Sequence, residues 1–557
     1  MKKKIGILLT VLFATMLAAS CVVDTVKAEP DASLVIITPH LEGIRNEFDA
    51  AFNAYYQASY GESVDIEWNY IGGTSDLIKY IDSQYEAKPE GIGIDMWWGG
   101  GVDPFITAAD KGQLLAYQAD EEILSKIPAD YGGIPMYDPD YMWYGTALSG
   151  FGIIYNKALL QLENLPEPKI WEDLTDPIVK GWVGSADPRN SGSTHMAYEI
   201  ILQAYGWEDG IKLATMMGAN VKTFPTSSSA IPKSVAAGDL AYGLTIDFYA
   251  ISQILVHGSD KIGFVLPAGL TVVNPDSIAI LNGAPNLEVA QRFVNFVLSE
   301  EGQKLWMLPV GAEGGPQTDA LARMSIIPDL YEELADVTIL PLDNPFEVEP
   351  ELYYNSTLGS LRYSFVNDLI GATVIDSHDE LVSTWEEIIA AENALSEEGM
   401  TSTKIGEAKD KLGEVSITLE DSLVAAGNWS DASLRNQYIT EWHRFALSKY
   451  ESASILTSLA EAELLQSSLE GEKEEIEATY DSEVEELAAQ IETLTTLHES
   501  EIGTLTSQYE SLLNTAKTEK QSSLYTGLGG GAVVGLIVGY AISYFMARQK
   551  EVTAVQA

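Results

Sequence analysis

The sequence predicts an α/β head, then a long α-helical coiled-coil stalk and one C-terminal transmembrane helix. Three patterns predict it. From about residue 31, short β-rich runs alternate with amphipathic helical ones, as in βαβ units whose parallel sheets are covered by helices. From about 446 to 520 proline is absent, and apolar residues recur in steps of four and three. Leu524 to Met546 is an uncharged stretch of about 23 residues, enough at about 1.5 Å per residue to cross a hydrocarbon core of about 30 Å.

Leu34 to Thr38 reads as a buried strand, and Gly43 to Ser59 as a helix with Ile44, Phe48, Ala51, Phe52 and Tyr55 on one face. Val64 to Tyr70 alternates as a strand, Ser75 to Tyr85 follows as a helix, and Ile92 to Trp98 as a third strand. In the stalk, Ile476, Tyr480, Val484, Leu487, Ile491 and Leu494 form a heptad seam that His498 interrupts. The seam makes a homo-oligomer through the stalk an expectation.

The ends set the expected topology. Lys2 to Lys4 before the apolar run Ile5 to Ala19 have the form of a signal peptide, taken as residues 1–28. Ala18-Ala19-Ser20-Cys21 offers lipidation of Cys21 as an alternative end to that segment. Arg548 and Lys550 after the apolar run place the 547–557 tail in the cytoplasm and the head outside the cell, on a single-pass anchor in the cell membrane. Asn355 and Asn428 sit in glycan-acceptor triplets of the exported part.

Composition excludes several classes. The chain has 557 residues and a net charge of −50, which repels phosphate backbones and argues against nucleic acid as a partner. Six His and one Cys leave little for a zinc site or a disulfide framework, and neither a metal nor a cofactor is expected. No nucleophile elbow, phosphate-binding lysine loop or zinc-protease helix appears, so no catalytic residue is assigned and the chain is not read as an enzyme. A hydrolase built on His40 and His195 lacks a nucleophile and an orienting group.

Binding chemistry concentrates in the loops after strands. Gly72-Gly73-Thr74-Ser75, Trp98-Gly99-Gly100-Gly101, Asn190-Ser191-Gly192-Ser193-Thr194 and Thr226-Ser227-Ser228-Ser229 each combine small or hydroxyl residues with a following helix. Together they describe a cradle for an anion or a polyol. Ordinary helix capping is the competing reading of each loop taken alone. Trp97, Trp98 and Tyr249 offer flat faces at strand ends, Asp247 a carboxylate, and His40 and His195 hydrogen bonds to ligand or loop. The ligand-binding set is therefore His40, Gly73, Thr74, Ser75, Trp97, Trp98, Gly99, Gly100, Ser191, Gly192, Ser193, Thr194, Ser228, Asp247 and Tyr249.

Several phrases resemble the type II solute-binding proteins of ABC importers, in the group that binds ferric ion, thiamine, phosphonates and sugar phosphates. They are Asp95-Met96-Trp97-Trp98-Gly99-Gly100-Gly101, Gly152-Ile153-Ile154-Tyr155-Asn156, Trp171-Glu172-Asp173-Leu174, Ala186 to Gly192, Ala236 to Gly243 and Pro275 to Ile280. The resemblance implies a two-lobed head over 31–445, with lobe 1 at about 31–146 and 275–400, lobe 2 at about 147–274, and a helical extension at 400–445. It further implies hinge closure on a small-molecule solute that is released unchanged to an ABC permease. Ferric members carry adjacent tyrosines where this chain has Phe248-Tyr249. The hydroxyl-rich loops favour a phosphate-, phosphonate- or carboxylate-bearing anion. A cation such as thiamine or a polyamine, boxed by Trp97, Trp98, Tyr249 and Asp247, and ferric ion are the rival ligands, and a ligand sensor without transport is the rival role.

Overall fold

The computed structural model describes residues 30–497 apart from 343, together with 511, 514, 515 and 518. The signal-type segment with Cys21, His498, the apolar run 524–546 and the 547–557 tail lie outside the described residues. Among the described residues no helix is long and apolar enough to cross a membrane. The chain falls into two compact units: Met1–Trp171, Val183–Ala204 and Thr223–Asn367 form the first, and Glu172–Trp182, Tyr205–Lys222 and Asp368–Ala557 the second.

The first unit opens with the alternation that the sequence predicts. Strand β1 (Ala32–Ile37) leads to α1 (Glu42–Tyr60), β2 (Val64–Asn69), α2 (Thr74–Ala87), β3 (Met96–Trp98) and α3 (Val102–Asp110). Helix α1 buries Ile44, Phe48, Phe52 and Tyr56, spaced by four, and each phenylalanine so buried contributes about 2 kcal/mol. It ends where Gly61 takes φ 73°, a left-handed cap that suits glycine. β1 pairs in parallel with both β2 and β3.

One strand then serves two sheets. β4 (Tyr144–Asn156) is buried along its whole length. Further on come β5 (Val183–Gly184), α4 (Gly192–Tyr205), α5 (Trp207–Asn220), α6 (Ala230–Ala237), β6 (Tyr242–Ile246), α7 (Asp247–His257), β7 (Ile262–Val265), β8 (Val273–Leu281) and α8 (Leu287–Leu298). Tyr144–Gly150 of β4 pairs antiparallel with β8, which pairs antiparallel with β3 on its other side. Phe151–Ile154 and Tyr155 pair instead with β6, and Ile153–Asn156 with β7. The order β2-β1-β3-β8-β4-β6-β5 is thus two lobes sharing β4, with the change of sheet at Gly150/Phe151, a few residues beyond the expected 146/147. The sheets are mixed rather than purely parallel, because β4 runs antiparallel to β8, β6 and β7, and β8 antiparallel to β3.

The second unit is helical. To α5 it adds the last residues of α9 (Ser356–Ile370), then α10 (His378–Glu397), α11 (Thr403–Leu412), α12 (Leu419–Ala426) and α13 (Ala432–Leu497). Trp385 donates to Asn220 Oδ1 at 2.8 Å, while the Asn220 amide donates to the Leu174 and Asp176 carbonyls at 2.9 Å. One buried amide so ties α10 and α5 to the 172–182 segment. The compact first unit ends at Asn367, which corrects the expected extension of lobe 1 to about 400. The stalk boundary at 446 is also corrected. α13 begins at Ala432 and packs on α10 and α11, burying Trp442, Ala446, Tyr450, Ala453, Thr457 and Ala460. Those steps of four and three make a seam of small and aromatic residues, whereas Ile476 and Leu487 farther along are 66% and 49% exposed.

Candidate functional site

The two lobes of the first unit enclose a cavity of about 220 Å³. Its lobe 1 wall is set by strand-to-helix turns. Leu41, Gly73 and Gly101 are the N-caps of α1, α2 and α3, and Ile246 is the N-cap of α7 from lobe 2. All four line the cavity, and none supplies a capping side chain. At α7 the Asp247 carboxylate takes the Phe248 N–H, so it is the N–H groups and partial positive charge of the α1, α2 and α3 starts that are left for whatever enters. Glycine is required at Gly100, where φ is 121° and a Cβ would lie 2.6 Å from Thr74 Cγ2.

The lobe 2 wall is a hydroxyl shelf. Asp187 accepts from the Arg189 guanidinium at 2.8 Å and from the Arg189 backbone N–H at 2.8 Å, which curls the chain into the 190s loop. Ser191 Oγ then accepts from Thr194 N–H at 3.3 Å and from Thr194 Oγ1 at 3.1 Å, and Ser193 donates to Ser228 Oγ at 2.9 Å. The lobes meet beside this shelf. Ser75 Oγ donates to the Pro188 carbonyl at 3.0 Å, Lys79 Nζ to the Arg189 carbonyl at 2.6 Å, and Asn190 Nδ2 to Asp76 Oδ1 at 3.0 Å.

Charge enters through Arg323, buried yet on the cavity wall. Its guanidinium donates to Asp276 and, at 2.9 Å, to Ser149 Oγ, and lies 4.4 Å over the Phe248 ring. Its Nε–H has no partner. Asp276 also accepts from Gly100 N–H and, at 2.8 Å, from His40 Nε2. Burial alone would raise the Asp276 carboxyl, but Arg323 and His40 outweigh it and hold the group well below the usual carboxylate range. Burial lowers His40 against the pull of Asp276, and pushes the Tyr249 and Tyr363 phenols up, so the two phenols stay neutral.

Of the residues picked out in the sequence, His40, Gly73, Thr74, Gly100, Ser191, Gly192, Ser193, Ser228 and Tyr249 line the cavity. The others sit behind it. Trp97 stacks on Phe105 at 4.1 Å and donates to the Gly99 carbonyl, while Trp98 packs edge-on to Phe48 at 4.8 Å and donates to Thr146 Oγ1. Neighbours on a strand point to opposite faces, and both faces of β3 are covered, so both indoles are core. Asp247 accepts from Gly150 N–H at 2.7 Å and Phe248 N–H at 2.6 Å, an anchor for α7 that burial raises to about 6. Ser75 and Thr194 spend their hydroxyls on the loops, and Gly99 abuts Pro39 and His40.

Arg323, Asp276, Asp103 and Tyr363 are wall residues that the sequence reading missed. Arg323 had a signal: it is the lone charge in Leu321-Ala322-Arg323-Met324-Ser325-Ile326-Ile327, whose residues are all buried. A charge inside such a run needs a buried partner. Among the described residues, no group of three or more His, Cys, Asp or Glu is placed to hold a metal ion.

Residues 103–309 match the family model described as bacterial extracellular solute-binding protein. An uncharacterized protein of Haemophilus influenzae is 29% identical over 254 residues, covering 44% of this chain and 69% of that one. The phosphoglycerate transport regulatory protein PgtC of Salmonella typhimurium is 28% identical over 160 residues, 29% of this chain and 39% of its own length. Among solved structures, the periplasmic binding protein P5PA aligns over 62% of this chain and 100% of its own at 20% identity, with a TM-score of 0.50. Over residues 103–309 the chain thus matches the bacterial extracellular solute-binding proteins, and over 62% of its length it has the fold of a periplasmic binding protein.

Proposed function

We propose that this protein captures a small organic anion, carrying a phosphate, phosphonate or carboxylate group, between its two lobes and passes it unchanged to an ABC permease. The observation that carries the reading is the convergence on one cavity of the α1, α2 and α3 starts, none with a capping side chain at its N-cap, beside the unpartnered Nε–H of Arg323. Oriented N–H groups and a guanidinium inside a water-poor cleft favour negative charge. The likeness to a protein named for phosphoglycerate transport agrees in ligand class. A cation finds less here, because Asp247 is already bonded, burial holds the Asp103 carboxyl well above the usual carboxylate range and so disfavours its charge, and Arg323 lies over Phe248, the position at which ferric relatives are expected to hold a tyrosine. Closure supplies the gain in affinity: contacts from both lobes form together only when the cleft is shut, so the ligand shifts the population toward that state. The uncharged run 524–546, with Arg548 and Lys550 after it, supports a receptor tethered to the outer face of the cell membrane.

A melting-temperature panel of phosphates, phosphonates, carboxylates and amines tests the ligand class. Phosphate- or carboxylate-bearing compounds are expected to raise the Tm of the full chain, and Arg323→Met to remove that rise. A rise with amines alone would refute the reading.

A further inference from the structure

The cavity holds polar atoms that an anionic group does not need. His195 is 1% exposed and lines the cavity, its ring lying on Tyr363 with centroids 3.7 Å apart. Its Nδ1 is 2.7 Å from Asn367 Oδ1, a carbonyl oxygen that only accepts, so Nδ1 carries the proton. The other nitrogen, Nε2, is then a bare lone pair, and it is buried with no partner. Asp103 Oδ1, also on the wall, is likewise buried without a partner, while Oδ2 accepts from Tyr354. An anionic oxygen brought against a lone pair is repelled. A hydroxyl group, which donates, completes it.

We propose that His195 Nε2 is a specificity-determining acceptor that reads a hydroxyl group of the solute, so that the ligand class is a hydroxylated anion rather than a plain one. This rests on the anion reading above and adds a second recognition pole to it. Arg323 and the lobe 1 helix starts take the charge, and His195, on α4 of lobe 2, takes a hydroxyl. Burial pushes the imidazole down to about 3, so it stays neutral and keeps the lone pair across the physiological range. A buried acceptor left empty costs binding energy, and a solute lacking the hydroxyl is penalised for that reason.

Calorimetric titration of the full chain with glycerol 3-phosphate and n-propyl phosphate tests this, since the two share a carbon chain and a phosphate and differ in hydroxyl groups. The wild-type chain is expected to prefer glycerol 3-phosphate by about tenfold or more. His195→Phe, which keeps a ring against Tyr363, is expected to bring the two probes within about threefold of each other. Equal binding of both by the wild type would overturn the hydroxyl pole and leave the anion reading standing. Failure of both probes counts against the anion reading, and the tautomer then decides the hydroxyl pole. In the chain labelled with 15N-histidine, the His195 signal, assigned by its loss in His195→Phe, is expected to show Nε2 without a proton from pH 5 to 8. A proton on Nε2 would overturn the proposal whatever binds.

Discussion

Lys449 is buried in the helical unit, where its ammonium donates to the Glu414 carbonyl at 2.9 Å and lies 5.3 Å over the Tyr450 ring. Burial pulls its pKa down to about 7, against some support from Glu414. In the unfolded chain lysine keeps its proton to about pH 10.4, so between about 7 and 10 the unfolded state binds more protons than the native one. Stability therefore rises with pH across that window, and below about 7 the full cost of the buried charge is present. Lys449→Met is expected to raise the Tm of the helical unit at pH 7 and to flatten its rise toward pH 10, as thermal melts in a pH series would record. An unchanged pH profile in the variant would mean that Lys449 is not the group responsible. At the same scale, Asp276 shows the opposite balance: its charge is kept because Arg323 and His40 lie against it, and removing one partner leaves a buried charge uncompensated.

Among the elements, the turn before α2 is sensitive to a single methyl group. Gly73 has φ −78°, so alanine fits its backbone, yet a Cβ there would sit 2.2 Å from the Asn190 carbonyl oxygen of lobe 2. The clash exists only while the lobes meet. Gly73→Ala is thus expected to leave the melting temperature without ligand nearly unchanged, to weaken ligand binding by about tenfold or more, and to stop the ligand-induced fall in radius of gyration seen by solution scattering. Unaltered compaction would show that the lobes close by another geometry. The same elements show what periodicity can carry. β1, α1, β2, α2 and β3 were legible because strand and helix patterns are local, and the Ser191, Ser193 and Ser228 shelf because its residue types advertise their chemistry. Trp97 and Trp98 were misplaced because a tryptophan at a strand end looks alike in sequence whether helices cover it or not. Arg323 reaches the cavity through a bridge between Leu148 and Met324, a pairing between distant parts of the chain that no local pattern encodes. The helical unit was hidden for a similar reason: segments 172–182 and 205–222 join it from within the lobes' own sequence.

For the molecule as a whole, the net charge of −50 and the proposed ligand pull in opposite directions. At long range the acidic surface repels an anion, while inside the cleft Arg323 and the helix starts attract it. The two effects separate with ionic strength. Screening shortens the Debye length from about 30 Å at 0.01 M salt to about 8 Å at 0.15 M, which removes the distant repulsion and leaves donors at contact distance largely intact. The association rate constant of glycerol 3-phosphate, followed by stopped-flow fluorescence of the tryptophans, is therefore expected to rise as salt rises, with a much smaller change in the dissociation rate. A cationic solute would behave in the reverse way, its association slowing as the attraction is screened. The sign of the salt dependence so reads the charge of the solute without its identity. An anion whose association slows with salt would mean that the field at the cleft mouth is already positive, and the opposition between surface and site would have to be abandoned.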